Sequence, residues 1–179
     1  MSGGRLRTRT VTTLGMLTAV ALVLGYLEHL IPITTIPGIK LGLSNTVLLY
    51  ALYLMNGWCA AVLMCLKVVL SGLLFGGVSA MLYSLAGGIL SLAAMLLIRR
   101  IPGVSVIGVS IIGAVMHNVG QLIVASFVVE TQAVLVYLPV LLVSAAVTGT
   151  LTGIVAKYVM RGLKGNQGAR TTNSTEDKK

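Results

Sequence analysis

The sequence predicts an all-α integral membrane protein, a bundle of six transmembrane helices. Three observations predict it. Of 179 residues 56% are apolar and only 9% are charged, against about 25% charged in soluble domains, so a watery surface would lack polar side chains to cover it. Apolar segments follow one another along the chain, separated by short clusters of Gly, Pro, Asn or charged residues. Finally, the bases of a chain with formal charge +9 stand at the edges of apolar runs. No basic face interleaves with aromatics, which reads as membrane topology and argues against a nucleic-acid surface.

The first ten residues form a basic N-terminus with Arg5, Arg7 and Arg9, and no small-residue cleavage site follows them, so the first span is expected to stay. That span starts near Val11 and ends at Glu28, His29 and the Pro32, Pro37, Gly38 cluster. A short second segment covers 41–54, and the turn-forming pair Asn56, Gly57 separates it from a third at 59–75. Gly76 and Gly77 lead into the fourth, 78–98, closed by Arg99, Arg100, Pro102 and Gly103; the fifth covers 105–129 and the sixth 134–159. Residues 11–163 thus form the membrane domain, and 164–179 form a polar tail with little to bury, expected to be disordered. With six spans the N-terminal bases, the Arg99, Arg100 pair and the Lys157, Arg161, Lys164 group share one side. The positive-inside rule makes that side, and both termini, cytoplasmic. Cys59 and Cys65 form neither a CxxC pair nor a disulfide framework.

Strongly polar residues inside apolar segments are costly, so each is a functional candidate. Lys67 lies near the middle of the third segment, where snorkelling is hardest; it attracts an anionic substrate or holds an internal partner. His117, Asn118 and Gln121 share one stripe of the fifth segment, either as a pocket wall or as a helix-to-helix hydrogen-bond network. Lys40, Ser44 and Asn45 surround the start of the second segment, where free N–H groups and a positive dipole end favour an anion. Tyr83 and Ser84 offer a phenol and a hydroxyl, and Glu28 with His29 forms either a gate or a solvated helix end. Gly15 with Ala19 and Ala21 with Gly25 let helices approach closely, within the bundle or against a separate membrane subunit. No Walker A loop, HExxH, GxSxG or aspartate-rich magnesium diphosphate motif is present, and the two histidines are too few for a metal site. The expectation is a non-enzymatic protein without cofactor or metal.

Four ordered stretches, Pro37-Gly-Ile-Lys-Leu-Gly-Leu-Ser-Asn45, Leu73-Leu-Phe-Gly-Gly77, Tyr83-Ser-Leu-Ala-Gly-Gly88 and His117-Asn-Val-Gly-Gln121, resemble the heptaprenyl diphosphate synthase component I family, also called the Gx transporter family. The resemblance covers about 11–163. It implies a fold like that of the six-helix substrate-binding S components of energy-coupling factor transporters, in a bacterial cell membrane. It implies capture of a small, anionic, vitamin-like or isoprenoid or quinone-precursor molecule by Lys67, His117, Asn118, Gln121, Asn45, Tyr83 and Lys40, with Glu28 and His29 on the gating loop. The implied partners are a membrane T component, met through Gly15, Ala19, Ala21 and Gly25, and two cytosolic ATPases. The alternative is a non-catalytic membrane subunit of heptaprenyl diphosphate synthase, serving menaquinone side-chain synthesis beside a prenyl diphosphate synthase catalytic subunit.

Overall fold

A computed structural model describes residues 2–30, 42–130 and 136–176. All regular structure among them is helical: α1 (Ser2–Leu30), α2 (Leu43–Leu54), α3 (Gly57–Ser71), a five-residue π-helix (Gly72–Gly76), α4 (Gly77–Ile98), α5 (Val106–Val128) and α6 (Leu138–Glu176). Four runs are long and apolar enough to cross a membrane: 8–30, 57–98, 106–128 and 138–163. The six separate spans expected from the sequence are therefore not all present as such. The α2 helix has 12 residues and is about 18 Å long, short of the roughly 30 Å of a hydrocarbon core. The third and fourth segments join without a gap into one 42-residue run.

That run is a hairpin. The backbone turns at Gly77, whose φ of 74° is open chiefly to glycine. Its arms then meet in antiparallel register, Gly57 against Leu96, Met64 against Gly88 and Gly72 against Met81. Two side-chain caps start helices where the sequence places turns: Asn56 Oδ1 accepts from Cys59 N at 2.7 Å and Ser105 Oγ from Gly108 N at 3.1 Å.

Helices α2 to α6 close a ring, each packed on the next and α6 returning to α2, while α1 leans on α2 and α3 alone among its larger contacts. The bundle keeps an apolar core but, unlike a soluble protein, also has an apolar exterior. Trp58, Phe127 and Leu73 are each more than 70% exposed, whereas Ser44, Ser91, Ser110 and Thr152 are buried, an arrangement that suits a lipid exterior. The α4–α5 and α5–α6 seams close on glycine. A Cβ on Gly120 would lie 2.8 Å from the Ala86 carbonyl oxygen, and Cβ atoms on Gly149 and Gly153 would lie 2.8 Å from the α5 backbone, so these helices touch main chain to main chain. Two helix ends differ from expectation: α1 starts at Ser2 rather than near Val11, and the α6 backbone stays helical to Glu176, inside the tail expected to be disordered.

Candidate functional site

All six helices and the π-helix line one internal cavity of about 360 Å³, within the size range of small-molecule sites. Its contributors sit at helical spacing. Helix α4 supplies Ala80, Ser84, Gly88, Ser91 and Met95, and α6 supplies Ser144, Thr148 and Thr152, each set on one face at steps of three or four. On α1 and α6 the lining stops well short of the basic ends, beginning at Ala21 and ending at Thr152, while on α4 it reaches Met95, about one turn before Arg99. At the opposite end Phe75 of the π-helix meets Tyr26 and His29 of α1, with ring centroids 5.7 and 6.2 Å away.

Lys67 points into this cavity, and its Nζ donates to Asn45 Oδ1 at 2.7 Å. The lysine from α3 and the amide from α2 therefore form one unit, joining two residues that the sequence offers separately. The start of α2 holds a different surprise. Gly42, at φ 76°, supplies no side-chain cap, and instead the Glu28 carboxylate accepts from Leu43 N. The carboxylate thus occupies part of the helix terminus to which an external anion was expected to bind, and it suits the positive end of the dipole. The other end of α2 is matched too, because Arg99 Nη1 donates to the Leu52 carbonyl at 2.5 Å.

His117, Asn118 and Gln121 all line the cavity. Asn118 Nδ2 also donates to the Leu141 carbonyl at 2.9 Å, a bond from α5 to α6, so wall and helix-to-helix bond coexist in one residue. Gly87 and Gly120 allow the close approach beside them: a Cβ on Gly87 would lie 2.7 Å from the His117 carbonyl.

Other expectations change. Tyr83 does not line the cavity; Ser84 does, because one step along a helix rotates the side chain by about 100°. Lys40 lies outside the described residues. The four small residues of α1 do not share a face: Ala21 and Gly25 line the cavity, while Gly15 and Ala19 are exposed, and a Cβ added at Gly15 would meet nothing within 4 Å. Ser91, Ser110, Ser144, Thr148 and Thr152 belong to the wall without having been singled out. Their signal was the recurrence of hydroxyls at 144, 148 and 152 in an apolar helix. Among the described residues no three His, Cys, Asp or Glu come together to hold a metal ion, and both cysteines are free thiols, Cys59 buried and Cys65 exposed.

A family model described as heptaprenyl diphosphate synthase component I matches residues 17–159, a range containing every cavity-lining residue. That description agrees with the accessory-subunit alternative and carries no mention of energy-coupling factor transport. No curated protein and no solved structure matches the chain.

Proposed function

We propose, from the premise that the chain belongs to the heptaprenyl diphosphate synthase component I family, that it is a non-catalytic membrane subunit that binds a small anionic molecule in its internal cavity. The observation that carries the proposal is the Lys67–Asn45 pair at the wall of that cavity. Lys67 presents a cation to the cavity, and the low dielectric of the surrounding bundle strengthens its attraction to an anionic group. His117, Asn118 and Gln121 orient the molecule, and His29 with Phe75 stands at the end of the cavity away from the bases. The described acidic residues lining the site reduce to Glu28, which already serves α2, leaving little for metal-assisted diphosphate chemistry.

The family description supports service beside the prenyl-transferring subunit of heptaprenyl diphosphate synthase. A specific observation favours the second role, capture for uptake. The lining stays clear of the basic ends of α1 and α6, and with those ends cytoplasmic by the positive-inside rule the end of the cavity at His29 and Phe75 is turned to the outer side of a bacterial cell membrane. A molecule held there is placed to arrive from outside rather than from a cytosolic enzyme. In this role a T component and two ATPases supply the driving force, and the exposed Gly15, Ala19 face of α1 is the surface left for docking.

Affinity purification of the full chain in mild detergent tests both levels. Native mass spectrometry should find a small anion on the wild type and not on Lys67→Met; identical spectra would remove the binding function. Retention of a prenyl diphosphate synthase catalytic subunit assigns the accessory role, and retention of a membrane partner with two ATPases assigns uptake.

A further inference from the structure

The two sides of the cavity differ in chemistry. Leu48, Leu49, Val68 and Phe75, its leucine, valine and phenylalanine lining, all come from α2, α3 and the π-helix, the side that carries Lys67. Helices α5 and α6 contribute no apolar side chain larger than alanine. On α6 the hydroxyls are arranged in one sense, whereas α5 adds His117 and Gln121, which carry N–H groups. Ser144 Oγ donates to the Leu141 carbonyl at 2.9 Å, Thr148 Oγ1 to Ala145 at 3.4 Å and Thr152 Oγ1 to Thr148. A carbonyl oxygen only accepts, so Ser144 and Thr152 turn their single proton to their own helix and keep lone pairs for a ligand, while the longer Thr148 contact holds its proton only weakly. Asn118 gives one N–H to Leu141 and keeps its Oδ1 as an acceptor beside its second N–H. The α6 wall is therefore rich in acceptors and faces an apolar wall that carries Lys67, with Glu28 also lining the cavity.

Resting on the binding role above, we propose that the site takes a compact anion that also carries hydrogen-bond donors, such as an amino- or hydroxy-substituted ring carboxylate. Its acidic group meets Lys67, its flat apolar body lies on the leucine side, and its N–H or O–H groups point to Thr148 and Thr152. A long prenyl diphosphate matches the α6 wall poorly. Its diphosphate oxygens are acceptors and its chain has no donors, so it would leave the acceptor wall unmatched, which binding sites penalise strongly.

The test releases the molecule retained by the full chain and weighs it in H2O and in D2O, with geranyl diphosphate as the added competitor. The expected ligand has fewer than about 25 non-hydrogen atoms, gains at least two deuterons on groups other than its acid, and is not displaced by geranyl diphosphate. Thr148→Val with Thr152→Val should weaken its retention about tenfold or more, while melting in detergent shows the variant folded. A ligand without exchangeable N–H or O–H groups, or displacement by equimolar geranyl diphosphate, overturns the proposal while leaving the binding role intact. A chain that retains nothing and does not bind geranyl diphosphate overturns the binding role itself.

Discussion

Helix α5 and helix α1 are both apolar, glycine-bearing and long enough to cross a membrane, yet they are held in opposite ways. Helix α5 is clamped between α4 and α6 with backbone against backbone at Gly87, Gly120, Gly149 and Gly153. Helix α1 rests on α2 and α3 through Leu14, Leu17 and Leu24, with Val11, Met16, Val20 and Val23 turned outward at 50% exposure or more. The difference teaches that small residues mean different things by position. Between helices they set the distance of closest approach; on an outer face they leave a surface smooth and open to a neighbour.

Gly120→Leu should break the clamped half outright. Its side chain would be driven into the Ala86 carbonyl and the Gly87 Cα, neither of which can rotate away, so a loss of about 3 kcal/mol or more is expected, read as a collapsed melting temperature in detergent. A near-normal melt would mean that the α4–α5 seam is looser than the geometry implies. Next in size, Lys67→Met should reduce ligand retention roughly 10- to 100-fold, the worth of a charge-assisted bond, measured by native mass spectrometry with the melt little changed. Glu28→Ala should cost about 1 kcal/mol of thermal stability by removing the cap on α2, and Arg99→Met a similar amount at its other end; if neither moves the melt, α2 is held by its packing alone. Smallest of all, Gly15→Leu should stay within about 0.5 kcal/mol of wild type, and only co-purification of a membrane partner should respond to it.

Much of this was legible in the chain. Lys67, Asn45, His117, Asn118 and Gln121 stand out because apolar helices tolerate such groups only where something meets them, and all five reach the cavity. Tyr83 misled through its size, since the smaller Ser84 beside it holds the inward position. The hydroxyls at 144, 148 and 152 stayed hidden for a physical reason: Ser and Thr satisfy themselves on their own helix carbonyls, so they occur in membrane helices without implying a site. The fold was legible in its segments and turns. The merging of the third and fourth into one hairpin was not, because Gly76 and Gly77 read equally as a loop or as a turn inside continuous helix. Nor was the pairing of Glu28 with Leu43 or of Arg99 with Leu52, since nothing in spacing announces bonds across 15 and 47 residues.

Those last two bonds bear on how the molecule is made. A segment of 12 residues is a poor substrate for stop-transfer during synthesis, and on its own it would carry two uncompensated termini into lipid. One compensating charge is already present when α2 leaves the ribosome, on α1. The other arrives only after the whole hairpin of α3 and α4 has been translated. The two ends of α2 are therefore completed at different stages of synthesis, the first as soon as α2 follows α1 and the second only when the α3–α4 hairpin has been made.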